Sequence, residues 1–276
     1  MALNLVRRFP LTVWNRTPSK YAALIEAGAV VGETPADVVR QSDAVFTMLF
    51  DEAAIQSILN DDFRQALRGK TIVNTSSVSV EFSQSFADLV HRAGGKFIEM
   101  PVSGSKVPAQ QGRLVAMMAG DAAIAEEIRP LAETMASTAV HCGPIGFGLK
   151  TKYAVNLYLI AITAGLAEAA NLAAAQGLNL EAFAQVLGAG PMASAYSKLK
   201  MTKLLEQDWS AQAAIKDCYN STQLIKAAAE AANAEAPIAN MCGKLYRQAM
   251  DTGLDEDDMI AVIKVLKDSN LRRSQE

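Results

Sequence analysis

The chain has 276 residues, of which 50% are hydrophobic and 20% are charged, so it can bury sizeable cores without disulfide or metal support. Its 26 Lys and Arg against 29 Asp and Glu give a net charge of −3 with no basic block, which argues against nucleic-acid binding. Three cysteines, at positions 142, 218 and 242, form no C-x-x-C pair and indicate a reducing intracellular setting. Two histidines without a cysteine cluster give no recognisable metal site.

The longest apolar-rich stretch, residues 153–175, contains Asn156, Glu168 and Asn171, and is therefore expected to be a buried helix rather than a membrane span. The N-terminus has two arginines but no following apolar segment or small-residue cleavage site of the kind that marks a secretory signal. These features predict a cytoplasmic protein that binds neither a membrane nor nucleic acid.

Short β-like runs alternate with helical stretches over the first part of the chain. Apolar and β-branched runs predict strands, in chain order, at 11–14, 28–31, 43–49, 71–74, 96–99, 114–119 and 138–141. Helices are predicted at the N-terminus, from residue 18, and at 52–59, 80–93 and 122–135. Strands separated by crossover helices predict an α/β fold with a doubly wound parallel sheet.

The pattern changes near residue 145, beyond which the apolar residues have helical spacing only. A long helix is predicted to start near residues 143–148 and to run to about residue 176. We therefore predict a Rossmann-like domain over 1–145 and an all-helical substrate and oligomerisation domain over 146–276, whose polar end, 268–276, is expected to fray.

A doubly wound dinucleotide-binding domain normally opens with a strand, a glycine-rich turn and a helix. This sequence opens directly in a predicted helix, and no G-x-G-x-x-G lies near its start. In the common 3-2-1-4-5-6 strand order the first strand is central. Without it, its two neighbouring strands would keep unpaired backbone N–H and C=O groups, each costing about 1–3 kcal/mol if buried. We expect that the sequence starts after this strand; the alternative is that another segment takes its position.

The residues Asn15, Arg16 and Thr17 follow a predicted strand where NAD-binding folds usually have an acidic residue for the ribose hydroxyls. No carboxylate is present at this position. Arg16 can pair with a 2′-phosphate, with hydrogen bonds from its two neighbours, which favours NADP(H) as the cofactor. The alternative is a solvated arginine in an ordinary turn.

The segment from Gly146 to Asn156 contains two glycines, which allow the backbone to pass close to a ligand. Lys152 and Asn156 are four residues apart, so they share a face of the predicted helix. A lysine beside a carbonyl can hydrogen-bond its oxygen and deliver a proton as hydride arrives, and Asn156 can orient the same groups. Spacing alone also allows a solvent-facing lysine and an asparagine with no role in catalysis.

The turn at 101–105, Pro-Val-Ser-Gly-Ser, directly follows a predicted strand, and ligands bind at the carboxyl ends of strands in open α/β sheets. Backbone N–H groups around Gly104 and the hydroxyls of Ser103 and Ser105 can hold a substrate carboxylate. An ordinary Ser/Gly turn is the alternative.

Six segments occur in a fixed order. They are N-R-T-P from Asn15, a strand ending at Met48 and Leu49, the serines at 76–77, P-V-S-G-S-K-x-P-A-x-x-G-x-L from Pro101, G-x-G-x-x-x-K-x-x-x-N from Gly146, and Lys216 with Asp217. Together they resemble the β-hydroxyacid dehydrogenase family, which includes 3-hydroxyisobutyrate dehydrogenase, over nearly the whole chain. The S-G-S-K variant with N-R-T is most similar to the glyoxylate/succinic semialdehyde reductase branch.

The resemblance implies a Rossmann domain, a long interdomain helix and an all-helical domain that assembles as a homodimer or homotetramer. It implies Lys152 as the general acid in carbonyl reduction, Asn156 as its helper, and Ser103 and Gly104 as the loop for the substrate carboxylate. The positions that correspond to cofactor-lining residues are Met48, Leu49, Ser77 and Lys216.

Three features depart from the family pattern. The opening strand and glycine loop are absent, Ser77 stands where the family usually has threonine, and residues 8–10 lack the usual glycine between the first helix and the second strand.

We therefore expect an NADPH-dependent reductase of a small carboxylated aldehyde or keto acid, such as glyoxylate or succinic semialdehyde, with no metal. An imine reductase on the same scaffold is an alternative, which Lys152 disfavours. A second alternative is a non-catalytic relative that only oligomerises. The missing glycine loop favours this alternative, whereas the joint presence of Lys152, Asn156 and Ser103 disfavours it.

Overall fold

The computed structural model describes residues 1–267, which form two compact units, Met1–Lys152 and a second that begins at Tyr153. The division falls inside the long helix, shortly after the boundary predicted at 145/146. Residues 268–276, for which fraying is predicted, lie outside the described residues.

The first unit alternates strands and helices, as the sequence predicts. Its strands are β1 (Thr12–Val13), β2 (Val30–Val31), β3 (Ala44–Thr47), β4 (Thr71–Asn74), β5 (Lys96–Glu99), β6 (Val102–Ser103), β7 (Leu114–Gly120) and β8 (Ala136–His141). Its helices are α1 (Ala2–Val6), α2 (Ala22–Glu26), α3 (Pro35–Arg40), α4 (Glu52–Gln56), α5 (Asp61–Ala66), α6 (Val80–Arg92), α7 (Lys106–Gln110) and α8 (Ala122–Ala132).

The strands form two separate sheets. A parallel pair consists of β1 and β2, and the second sheet has the order β3-β4-β5-β7-β6, with β8 paired to β7. In the usual 3-2-1-4-5-6 strand order of this fold, β2 takes the place of strand 3 and β1 takes the place of strand 2. The parallel strands β3, β4 and β5 take the places of strands 4, 5 and 6. Among residues 1–267 no backbone pairing joins β1 to β3, so the two sheets are not hydrogen-bonded to each other.

The predicted Rossmann-like, doubly wound fold is confirmed, and its larger sheet is mixed rather than wholly parallel. Strands β3, β4 and β5 are parallel, whereas β7 is antiparallel to both β5 and β6. The five-residue α7 before β7 spans only about 7.5 Å, too short to act as a crossover helix. The 11-residue α8 does act as one, and β8 is parallel to β7.

The core of the first unit lies between the larger sheet and its helices. Buried apolar side chains from β4, β5, β7 and α8 meet there, including Val73, Ile98, Met118 and Ile128. This packing fixes the sheet, and with it the positions of the strand ends that carry the predicted site.

The second unit is helical, as predicted. The long helix α9 (Phe147–Ala175) begins within the predicted region 143–148 and ends next to the predicted end at about residue 176. It is followed by α10 (Leu180–Ala189), α11 (Ala195–Glu206), α12 (Ile215–Ala231) and α13 (Pro237–Asp251). Tyr246 and Ile260 are fully buried in its core. Lys200 and Asp258, both fully buried, form an ion pair at 2.7 Å that joins α11 to the segment after α13.

Of the helices in the described part of the chain, α9 alone is long and apolar enough to cross a membrane by length and composition, with a mean hydropathy of 1.5 over an 18-residue window. Core helices of soluble proteins pass the same test.

Candidate active site

The turn after β1 is held in place around Asn15. Its Oδ1 accepts a hydrogen bond from the Thr17 amide at 2.8 Å. The Tyr21 hydroxyl accepts a hydrogen bond from the backbone N–H of Asn15 at 2.5 Å and donates one to the backbone carbonyl of Asn15 at 2.7 Å. Arg16 is exposed at the tip of this turn. The turn therefore presents a guanidinium on an ordered backbone, which suits the binding of a phosphate.

The carboxyl ends of β3 and β4 meet at one edge of the larger sheet, because the two strands are parallel. The Leu49 amide donates to Ser76 Oγ at 2.9 Å and ties the two strand ends together. The Met48 side chain is 59% exposed, and Ser77 is half-buried. The structure thus gathers three of the predicted cofactor-lining residues, Met48, Leu49 and Ser77, at this edge.

One buried polar atom at the same edge lacks a partner. The Asn74 side chain is fully buried, and its Oδ1 accepts from the Thr47 hydroxyl at 2.9 Å and from the Ser76 amide at 3.2 Å. Its Nδ2 has no hydrogen-bond partner within the described protein. An unsatisfied buried donor costs about 1–3 kcal/mol, and such a group calls for a functional or solvent-mediated explanation. The exposed Met48 side chain at this sheet edge offers an apolar contact for a flat ring, such as nicotinamide.

The predicted carboxylate-binding loop follows β5. Its first residues, Val102 and Ser103, form β6 and pair with β7. Gly104 has a φ of +125°, which strains any L side chain, and a Cβ there would lie 2.7 Å from Leu114 Cδ2. Ser105 is the N-cap residue of α7. The glycine therefore allows a sharp turn between two serines, which gathers their amides and hydroxyls into one short segment.

The first turn of α9 begins against a buried carboxylate. Glu99, at the end of β5, is fully buried and accepts hydrogen bonds from the amides of Gly146 at 3.1 Å and Leu149 at 2.8 Å. The Ser83 hydroxyl donates to the same carboxylate at 2.5 Å. Burial raises the pKa of the Glu99 carboxyl above its ordinary value, although these hydrogen bonds oppose the shift. Glu99 therefore joins the end of β5 to the start of α9.

The two glycines of this segment serve the packing of the protein itself, which differs from the approach to a ligand expected from the sequence. A Cβ on Gly148 would lie 2.7 Å from the Met117 carbonyl and 3.0 Å from Glu99 Oε1. A Cβ on Gly146 would lie 2.8 Å from Val80 Cγ1. Glycine at both positions lets α9 start close to the sheet.

Lys152 lies one turn further along α9 and is half-buried. Its Nζ donates a hydrogen bond to the Val102 carbonyl at 2.7 Å. Because Val102 directly precedes Ser103, the structure brings Lys152 to the predicted carboxylate-binding loop. Lys150, in contrast, is exposed, with its ammonium 5.0 Å from the centre of the Phe147 ring.

Two predicted site residues belong to the second unit. Asn156 Nδ2 donates to Ser221 Oγ at 3.3 Å. Lys216 forms an ion pair with Glu256, and this neighbour raises the pKa of the lysine. Their predicted roles stay predictions.

Three residues of the site were missed by the sequence reasoning: Asn74, Ser83 and Glu99. Asn74 and Glu99 each end a buried apolar strand at the carboxyl edge of the sheet. A polar residue in that position is a signal that could have identified both. Ser83 lies within α6 and offers no such signal.

Comparisons with known proteins agree with this architecture. Residues 1–143 match the family described as the NAD binding domain of 6-phosphogluconate dehydrogenase, and residues 146–266 match the one described as NAD-binding of NADP-dependent 3-hydroxyisobutyrate dehydrogenase. The chain is 32% identical over 271 residues to glyoxylate/succinic semialdehyde reductase 1 of Arabidopsis thaliana, covering 97% of this chain and 94% of that protein. It is 31% identical over 278 residues to the chloroplastic reductase 2 of the same plant, covering 99% and 78%.

Solved structures show the same fold. A 3-hydroxyisobutyrate dehydrogenase from Salmonella typhimurium superposes with a TM-score of 0.87 at 23% identity, covering 96% of this chain and 94% of that chain. A protein named Psf3, solved in complex with NADP+ and 2-OPP, gives a TM-score of 0.86 at 24% identity, covering 96% and 95%.

The two family matches span nearly the whole described chain, and two relatives exceed 30% identity over almost its full length. The resemblance seen in the sequence is therefore confirmed. The chain belongs to the β-hydroxyacid dehydrogenase family of oxidoreductases, of the 3-hydroxyisobutyrate dehydrogenase type, with a nicotinamide-binding Rossmann-like domain followed by helices.

Proposed function

We propose that this protein is an NADPH-dependent reductase of a small carboxylated aldehyde or keto acid, such as glyoxylate or succinic semialdehyde. The observation that carries the proposal is the hydrogen bond from Lys152 Nζ to the Val102 carbonyl at 2.7 Å. It brings a proton donor to a loop whose amides and hydroxyls suit a carboxylate. Two relatives above 30% identity that are named for these two substrates support the choice of substrate class.

The positions of several residues support NADPH as the cofactor, at both ends of that molecule. The exposed Arg16 would pair with the 2′-phosphate, and Asn15 and Thr17 would add hydrogen bonds from the ordered turn. Met48, Leu49 and Ser77 would line the nicotinamide at the strand ends, and Lys216 is proposed to lie near that end in the complete site. Bound NADPH supplies the hydride that reduces the substrate carbonyl.

The protein's own residues would orient the substrate and supply the proton. Ser103, Gly104 and Ser105 would hold the substrate carboxylate through amides and hydroxyls. Lys152 Nζ would exchange its bond to the Val102 carbonyl for one to the substrate oxygen and donate its proton as the alkoxide forms. Asn156 would orient the lysine and the substrate oxygen from the same helix.

We further propose a homodimer or homotetramer in the cytoplasm, with no membrane or nucleic-acid partner. Large apolar side chains are exposed on the second unit, among them Tyr158, Val186, Met192 and Met241, each at least 69% exposed. Such surfaces are typical of subunit interfaces. The three cysteines are free thiols, which supports a reducing compartment.

The test is a steady-state comparison of matched substrates with NADPH. Glyoxylate and succinic semialdehyde should be reduced with a kcat/KM at least about 100-fold above that of acetaldehyde and butanal, because only the first pair offers a carboxylate to the loop. Equal values for the two pairs would remove the proposed role of residues 103–105, and no turnover of any carbonyl would contradict the reductase.

A further inference from the structure

The buried carboxylate of Glu99 connects the end of β5 to the start of α9. It accepts hydrogen bonds from the Gly146 and Leu149 amides and from the Ser83 hydroxyl. The first turn of α9 has no acidic residue of its own, so Glu99 supplies acceptor oxygens for the backbone amides at the start of the helix. A fully buried carboxylate is expensive to desolvate, and a helix end could be capped by a smaller polar residue at its own N-terminus.

Two bridges join the same two chain segments. Glu99 bonds to Leu149, and three residues further along both segments Val102 bonds to Lys152. The first bridge is fully buried and holds backbone amides, whereas the second ends on the half-buried lysine. The first bridge therefore sets the distance over which the lysine side chain must reach to the substrate loop.

From this arrangement we infer that Glu99 is a positioning residue for Lys152, fixing the first turns of α9 against the β5–β6 segment so that the ammonium is held beside the substrate loop. The inference rests on the proposed role of Lys152. It assigns to Glu99 no contact with substrate or cofactor. A displacement of about 1 Å in a reacting group can reduce a rate about 100-fold, so a loosened bridge should affect turnover more than binding.

The substitution Glu99→Gln keeps the size of the side chain but turns one acceptor oxygen into a donor that faces a backbone amide. We expect kcat for glyoxylate or succinic semialdehyde to fall about 10- to 100-fold, while the Kd for NADPH changes less than about twofold. Glu81→Gln, at an exposed glutamate in the first turn of α6, is the matched control and should leave both values unchanged. Thermal unfolding of each variant checks that the fold is intact.

A double-mutant cycle separates positioning from a general structural effect. If Glu99 acts through Lys152, then Glu99→Gln should reduce the single-turnover rate less than about threefold in a Lys152→Ala background. An equal loss in both backgrounds would overturn the inference. If Lys152→Ala turns over normally, the proposed function fails; if only Glu99→Gln turns over normally, the positioning role fails by itself.

A readout independent of turnover uses hydrogen exchange. The amide of Leu149 should lose protection in Glu99→Gln and keep it in Glu81→Gln, because only the first change removes an acceptor at the start of α9. Unchanged protection would contradict the bridge. If Glu99→Gln does not fold, Ser83→Ala removes one donor to the carboxylate and should give a smaller loss of kcat, about three- to tenfold, that disappears in the Lys152→Ala background.

Discussion

Lys152 Nζ donates a hydrogen bond to the carbonyl of Val102 at 2.7 Å, and the next residue of the chain is Ser103 of the predicted carboxylate-binding loop. Two segments that are 50 positions apart in the sequence therefore meet through one ammonium group. The neighbouring Lys150 points away and is exposed, so the contact selects one lysine of the segment. This selection gives the site its chemistry and leads to the following predictions.

Arg16→Ala should discriminate between the two nicotinamide cofactors. Loss of a charge-assisted hydrogen bond of about 1.5–3 kcal/mol should raise the Kd for NADPH about 10- to 100-fold and leave that for NADH unchanged, because NADH has no 2′-phosphate. Nicotinamide fluorescence titrations measure both constants. Arg92→Ala, at an exposed position in the last turn of α6, is the control. Equal weakening of the two cofactors by Arg16→Ala would exclude it as the reader of the phosphate.

Gly104→Ala should damage the substrate loop. The residue would carry a φ of +125° and a Cβ 2.7 Å from Leu114 Cδ2, so we expect a loss of about 1–3 kcal/mol in stability and a higher KM for carboxylated substrates. Gly69→Ala is matched to it, since Gly69 also has a positive φ, of +72°, but open space around its Cβ. Steady-state kinetics with both variants should show the rise in KM only at position 104; a similar rise in both would attribute it to general instability.

Lys200→Met should strongly destabilise the second unit. The substitution leaves Asp258 fully buried without its ion-pair partner, although the Gln212 and Ile260 amides still donate to it. We expect the free energy of unfolding in urea to fall by about 3–5 kcal/mol. Lys226→Ala removes an exposed pair at 3.9 Å and should change it by about 0–1 kcal/mol. A Lys200→Met variant as stable as the original chain would refute this account of the pair.

The difference in stability between the original chain and the Glu99→Gln variant should depend on pH. Burial raises the pKa of the Glu99 carboxyl, so folding favours its protonated form. The resulting stabilisation is fully present below about pH 4.3, where free glutamate is protonated, and is lost as pH rises through the folded pKa. The difference in unfolding free energy between the original chain and Glu99→Gln should therefore decrease with pH over that range. Urea unfolding at several pH values measures it, and an increasing difference would reverse the assigned direction of the shift.

Much of this architecture could be predicted because local patterns determine it. The apolar runs that form β3, β4 and β5 and the long helix α9 are visible in the sequence, as is the turn that presents Arg16. The antiparallel course of β7 could not be predicted from its apolar run, since direction depends on the short connection through β6 and α7.

The candidate site was only partly predictable for a related reason. Lys152 and Ser103 are conspicuous as residue types, but the Glu99 contact depends on β5 and α9 meeting in space. The sequence suggests that Gly148 makes room for a ligand, whereas the atom closest to the position of its missing Cβ is the Met117 carbonyl oxygen. Such long-range contacts leave little trace in sequence spacing.

The most direct test of the central claim compares Lys152→Ala with Lys150→Ala in the NADPH-dependent reduction of glyoxylate and succinic semialdehyde. Both lysines lie in the first turns of α9, but only Lys152 contacts the substrate loop. Removal of a general acid should lower kcat about 100- to 10,000-fold for Lys152→Ala, whereas Lys150→Ala should stay within about twofold of the original chain. A Lys152→Ala variant that retains its kcat would contradict the assignment of this lysine as the proton donor.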